Sequence, residues 1–255
     1  MFLLGFHRGG TTFVQRLLNC HEDVVVWGEN GGLISRLREI WEAAEQSVER
    51  ADHDSYAEFR SFASRWLAWT APFDGDEVLS RMAELVRGLY RTSHARYWGF
   101  KEIRHGRADD IAFLRRLFPN GRHILLTRDP RDVCLSNFHV RWSSAPSAEN
   151  LEEWVRRFLV AYRETIDALT AAARADEDLA LLCRYEDIAD ERGDPSLFEW
   201  LGADPAHLRR DLVDEVRRQR VGSSFGDRAR EITDEHAAEV RRLYDLLAPD
   251  LLGSG

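Results

Sequence analysis

Lysine is almost missing from this 255-residue chain: of its 35 basic residues, 34 are arginine and one, Lys101, is lysine. A coding bias towards arginine accounts for the general skew. A single lysine kept against that bias points to chemistry that a planar guanidinium does poorly, because an ammonium is a compact point charge. The glycine-rich loop near the start also lacks lysine, so the Walker A pattern G-x-x-x-x-G-K-[ST] is not present. Cysteine is scarce. Cys20, Cys134 and Cys183 are odd in number and set among apolar residues, which argues for reduced thiols and against a disulfide framework. No stretch approaches the roughly 18 apolar residues of a membrane span. A strand predicted from Phe2 onwards leaves no room for a leader peptide, so a cytoplasmic location and no membrane partner are expected. The chain also lacks an excess of positive charge. A net charge of −9 speaks against nucleic acid as a general partner, so any anion must be held by a local basic site. No His, Cys and Asp cluster stands at metal-ligand spacing, and no metal is expected.

What is present is ordinary in bulk, with 44% hydrophobic and 31% charged residues, as in a folded globular domain. The length suits one α/β domain over residues 1–255. Short apolar runs at Phe2–Phe6, Val24–Trp27, Tyr97–Lys101, His123–Thr127 and Leu179–Arg184 predict parallel strands buried on both faces. Helical patterns separate them, which predicts a doubly wound parallel sheet. A strandless segment of about residues 30–96 reads as a helical insertion of two to four helices covering the C-terminal edge of the sheet, where open α/β sheets place their sites. Its Trp41, Tyr56, Phe59, Phe62, Trp66 and Trp69 suit either plain core or a partly apolar pocket. A loop is predicted over residues 143–148, a long helix from Asn150 to about Ala173, and an irregular stretch from Gln219 to Arg230.

Two segments carry chemistry. In the first, Phe2-Leu3-Leu4-Gly5-Phe6 runs into His7-Arg8-Gly9-Gly10-Thr11-Thr12 and then into an amphipathic helix. A glycine-rich turn between a strand and a helix is an anion-binding layout, because the first N–H groups of a helix have no intrahelical partner. In the second, Ile124-Leu125-Leu126-Thr127-Arg128 delivers an arginine at a strand end, where open α/β sheets bind ligands. Pro130 suits the first turn of a new helix. Ser136 follows Arg128 by eight residues and can present its hydroxyl on the same side. An arginine with a hydroxyl can receive a phosphate; equally, Arg128 can pair locally with Asp129 or Asp132.

Taken together, residues 2–19 and 123–139 resemble the two nucleotide signatures of PAPS-dependent sulfotransferases. The resemblance implies a P-loop-NTPase-like sheet that binds 3′-phosphoadenosine 5′-phosphosulfate (PAPS) and releases PAP. On it, Arg8, Gly9, Gly10, Thr11 and Thr12 would hold the 5′-phosphosulfate, and Arg128 and Ser136 the 3′-phosphate. Arg184-Tyr185-Glu186-Asp187 resembles the family's segment beside the adenine, which assigns Tyr185 to the nucleotide. Residues 220–228 resemble the loop that closes over the 3′-phosphate, with Arg220 and Ser224 as contacts. The spacing there departs by one residue and Val221 replaces the usual lysine, so a solvated basic loop is the alternative.

The cytosolic branch of that family carries a catalytic histidine two residues after a strand lysine, but Ile103 stands in that place. The tyrosylprotein branch instead uses a glutamate after the second strand, and Val26-Trp27-Gly28-Glu29 is similar to it. Phe100-Lys101-Glu102 resembles the same branch's catalytic lysine. Glu29 is therefore the expected general base, its pKa lifted by burial, with His105 and His7 as weaker candidates. The alternative for Glu29 is a helix N-terminal carboxylate that stabilises the dipole. Lys101 and Arg8 would bind the bridging and sulfuryl oxygens. The expected activity is in-line sulfuryl transfer to a hydroxyl, or second to an amine, of a small-molecule acceptor, with chemistry close to phosphoryl transfer. A small-molecule kinase on the same scaffold would want an in-loop lysine and an acidic strand end for magnesium. A non-catalytic nucleotide-binding module predicts loss of Glu29 or Lys101, and both are present.

Overall fold

The computed structural model describes residues 1–50, 74–92, 94–104, 108–141, 150–189, 194–222 and 234–252. Five parallel strands form the centre: β1 (Phe2–Gly5), β2 (Val24–Trp27), β3 (Tyr97–Glu102), β4 (His123–Thr127) and β5 (Ala180–Arg184). Their order is β2-β3-β1-β4-β5. β1 pairs with β3 on one side and β4 on the other, so the connections leave it in opposite directions. That reversal opens a crevice at the C-terminal ends of the strands.

The central strands were legible because both faces are buried, whereas the edge strands β2 and β5 leave Trp27 and Leu182 exposed. All four residues of β1 are buried, and their side chains divide between the faces by the period of two. Leu3, with Ile124 and Leu126 of β4, packs into one core; Phe2 and Leu4, with Phe100 and Leu125, pack into the other.

The first core is covered by α1 (Thr11–Leu18), α7 (Tyr185–Ala189), α8 (Asp194–Leu201) and α9 (Arg210–Gly222). The second is covered by α2 (Leu33–Arg50), α3 (Gly75–Tyr90) and α4 (Ala108–Leu117). A third cluster joins α5 (Pro130–Arg141), α6 (Leu151–Ala175) and α10 (Asp234–Leu252) around Phe138, Phe158, Tyr162 and Tyr244. In α6 the buried Leu151, Val155, Phe158, Leu159 and Tyr162 recur at helical spacing, which gives one continuous apolar stripe. α3 begins at Asp74, whose carboxylate accepts from the N–H groups of Asp76 and Glu77, satisfying two orphan donors of the first turn.

The described helices of the insertion, α2 and α3, pack on the second core and on α4. Trp41 packs half-buried against the second core: its ring lies 5.7 Å from Phe113 and carries the Arg116 guanidinium at 4.8 Å. Tyr56, Phe59, Phe62, Trp66 and Trp69 fall outside the described residues, as does the predicted loop over 143–148. The predicted irregular stretch from Gln219 is shortened, because α9 continues to Gly222. Val213 is buried on the first core with Val216 packed beside it, and that apolar side keeps an otherwise charged helix in place.

Candidate active site

A cleft of about 720 Å³ opens at the crevice, with walls that include Arg8, Gly10, Thr11, Thr12, Glu29, Lys101, Arg128, Ser136 and Tyr185. The sheet thus brings both signature segments and the Glu29–Lys101 pair to one place.

The loop between β1 and α1 is a strained, tight turn. The Gly9 N–H donates to the Phe6 carbonyl at 3.0 Å. Arg8 has φ 64° and Gly10 φ 92°, the left-handed region that glycine enters freely and arginine does not. At Gly10 a Cβ would lie 2.1 Å from the Tyr185 ring, so a side chain there meets both torsional strain and a clash. No side chain caps α1, which leaves its first N–H groups available to a ligand. Thr11 is buried, whereas Thr12 is exposed at the cleft.

Two guanidinium groups meet over this loop. Arg8 donates through Nε to Ser136 Oγ at 3.0 Å. Arg128 donates through Nη1 to the Arg8 carbonyl at 3.2 Å and lies 4.7 Å above the Tyr185 ring. Burial, and after it the charge of Arg128, lowers the pKa of Arg8 below the usual guanidinium value. Two like charges held together in a half-buried site are relieved by an anion. The local pairing foreseen for Arg128 does form, at 3.5 Å to Asp132. Asp129 serves instead as a backbone acceptor, taking the N–H groups of Arg131 and Asp132. Arg128 Nε is buried with no hydrogen-bond partner, and a buried donor of that kind is costly unless something fills it.

On the other side of the crevice, Lys101 Nζ donates to Glu29 Oε1 at 2.7 Å, and Arg104 Nη1 donates to Glu29 Oε2 at 3.1 Å. Lys101 is nearly enclosed, with 7% of its side chain exposed against 33% for Glu29. The expected lifting of the Glu29 pKa is corrected. Partial burial raises it, but the hydrogen bond and charge of Lys101, followed by those of Arg104, outweigh burial and hold the carboxyl below its ordinary value of 4.5. The helix-terminal alternative is also displaced, since α2 starts at Leu33 and Asn30 Oδ1 takes the Gly32 and Leu33 N–H groups.

Of the remaining candidates, Tyr185 packs edge-on against Phe13 at 5.8 Å. His7 lines the cleft with its ring stacked on Phe6 at 3.9 Å. Arg220 falls in the last turn of α9, its side chain outside the described residues, and His105 and Ser224 lie outside them too. Sequence reasoning passed over Arg16, Ile103 and Val216, which also line the cleft. Arg16 could have been found one turn along α1 from Thr12, on the same face. Val216 comes from a distant helix and carries no local signal.

Residues 1–194 match the model of the sulfotransferase family. No match was found among curated proteins. Among solved structures, the chain is similar to mouse sulfotransferase SULT7A1 complexed with PAP, with a TM-score of 0.54 at 12% identity over 100% of this chain and 84% of that one. It is also similar to the sulfotransferase domain of the Synechococcus PCC 7002 olefin synthase, with a TM-score of 0.51 at 17% identity over 96% and 93%. For sulfotransferase STF9 from Mycobacterium avium the TM-score is 0.50 at 17% identity over 98% and 75%. These likenesses speak to the fold, and the family match covers the strands and loops that build the cleft: the chain belongs to the sulfotransferase family.

Proposed function

We propose that this chain moves the sulfuryl group of PAPS to a hydroxyl, or second to an amine, of a small-molecule acceptor, with Glu29 as general base. The observation that carries the reading is the meeting of Glu29 and Lys101, at 2.7 Å, on the rim of a cleft whose other wall is the Arg8–Thr12 loop. The residues present suit PAPS. The loop amides, Arg8 and Thr12 would hold the 5′-phosphosulfate, and the unpartnered Arg128 Nε and Ser136 the 3′-phosphate. Tyr185 would border the adenine, and Arg220 and Ser224 are proposed as further contacts. PAP in the similar mouse SULT7A1 structure supports the same donor.

PAPS supplies, when bound, an activated sulfuryl group that leaves PAP behind. Glu29 takes the acceptor proton at a carboxylate oxygen, and Arg104 orients that carboxylate through Oε2. Lys101 has three N–H donors, one of them on Glu29 in the resting site. Its ammonium and the Arg8 guanidinium neutralise oxygens that gain charge in the transition state. When Lys101 shifts its charge away from Glu29, the strongest lowering influence on the carboxyl weakens and partial burial raises its proton affinity. A base works best with a pKa nearer the working pH, so the resting ion pair is a stored form of the base.

Calorimetry of the purified protein without magnesium tests the donor: PAP is expected to bind in preference to ATP, and the reverse preference would sink the reading. Glu29→Gln is expected to lower turnover by about a hundredfold or more, the usual size for a general base, with PAP affinity kept. An unchanged rate would place the base elsewhere.

A further inference from the structure

The Glu29 segment has almost nothing to hold it by packing. Gly28, Gly31 and Gly32 surround Glu29 and Asn30, Gly31 and Gly32 adopt φ 68° and 84°, and a Cβ on any of the three would meet no atom within 4 Å. A glycine-rich turn in open space is floppy by composition. It nonetheless presents a carboxylate to Lys101 at full hydrogen-bond quality.

The anchor is a second carboxylate, the fully buried Glu102 at the end of β3. Its Oε2 accepts the Asn30 N–H at 3.1 Å and the Gly32 N–H at 3.4 Å. Its Oε1 accepts the Ile103 N–H at 2.8 Å, the Arg104 N–H at 3.2 Å and Arg104 Nη1 at 3.1 Å. One side chain therefore ties the Glu29 turn to the segment that carries Lys101 and Arg104. The same Arg104 nitrogen bridges Glu102 to Glu29. Such a carboxylate, satisfied on both oxygens by charge-assisted bonds, is among the strongest polar anchors available to a loop.

We propose that Glu102 is the positioning residue of this site: it touches neither donor nor acceptor, and it sets the orientation of Glu29 towards Lys101 and Arg104. The proposal rests on the reading of Glu29 as the base. Its substitution releases the Glu29 turn and Arg104 together, so the acceptor step suffers while the Arg8–Thr12 and Arg128–Ser136 wall of the cleft is untouched.

The test measures transfer from radiolabelled PAPS to a panel of phenols, alkyl alcohols and primary amines, with PAP affinity by calorimetry, for wild type, Glu29→Gln, Glu102→Gln and the double variant. Glu102→Gln is expected to lower kcat by about tenfold to a hundredfold, as misplacement of a reacting group does, with PAP affinity unchanged. The acidic limb of its pH–rate profile should move up, because Glu29 is no longer clamped between two cations. The double variant should be no slower than Glu29→Gln, since residues that act as a unit do not add. Additive losses, an unchanged kcat, or a parallel loss of PAP affinity would each overturn the proposal. Should Glu102→Gln not fold, Glu102→Asp, which keeps the charge but draws it back from Asn30 and Gly32, must show the same pattern; failure of both to fold would make Glu102 a fold residue and overturn it as well. No transfer by wild type overturns the base assignment and this inference together, whereas a rate lowered by Glu29→Gln but not by Glu102→Gln overturns only this inference.

Discussion

Lys101 and Glu29 stand 72 residues apart along the chain and 2.7 Å apart in space, and their pairing sets what each can do. Lys101 reaches Glu29 as a compact point charge, where a guanidinium would present a wide planar fork. Lys101→Arg should therefore cut transfer by about tenfold or more although the charge is kept, because the reacting atoms lose their alignment; steady-state kinetics with PAPS decides it, and full activity would return Lys101 to chance. The ion pairs also give a pH signature. Lys101 and Arg104 hold Glu29 below 4.5, so the free-enzyme kcat/KM profile should keep its acidic limb below that value. Arg104→Ala removes one lowering partner, and the limb should move to higher pH. A downward move would contradict the assignment. At this scale the sequence was informative where the signal is local: Arg8 to Thr12 stand in one unbroken stretch, and Ser136 lies eight residues after Arg128, inside the helix that follows it. Glu102 and Arg104 were silent, because an acid beside a lysine says nothing about which loop it will catch.

Elements explain why the loop is shaped as it is. β1 is short and buried, α1 starts at once, and the turn between them has to reverse within a few residues. Gly10 takes the positive φ and lets Tyr185 close against the loop. Gly10→Ala should strain the backbone by roughly 1–3 kcal/mol, and a Cβ 2.1 Å from the Tyr185 ring adds a clash on top of that. The expected result is a lower melting temperature with loss of PAP binding; retained binding at wild-type affinity would separate Tyr185 from the nucleotide site. The central strands were legible from runs of apolar residues, since a strand buried on both faces has few other ways to be written. α9 was cut short in prediction at Gln219 because its sequence is mostly charged. The helix continues because Val213 and Val216 dock on the first core, a tertiary gain that local pattern does not display.

Across the whole molecule, acid sensitivity follows from a histidine remote from the cleft. His123 sits at the start of β4, 1% exposed, with its ring against Phe2. Burial, and then the charge of Arg115, lowers its pKa from 6.5 to about 4. In the pH range between those values the unfolded chain binds the proton and the folded chain does not, so stability is full above 6.5 and is lost as pH falls towards 4. At 1.36 kcal/mol per unit, the loss attributable to this group from pH 7.5 to pH 5 is about 2 kcal/mol. Urea denaturation at the two pH values should show that difference shrink in His123→Leu, and an equal pH response in both proteins would remove His123 as the cause.

The sequence alone determined the alternation of strands and helices, the glycine-rich turn after β1 and the second basic segment, because each is written in consecutive residues or at a fixed helical spacing. The lone lysine and Glu29 could also be singled out there, though not their pairing. Only the tertiary structure decided that Glu29, Lys101 and Arg104 form one ionic cluster, that the Glu29 carboxyl is held acidic rather than lifted, and that Glu102 underlies it. Those facts depend on β2 and β3 lying side by side in the sheet, with their C-terminal ends at one edge. Strand order is set by how whole faces bury, and the few residues at each strand end cannot report it.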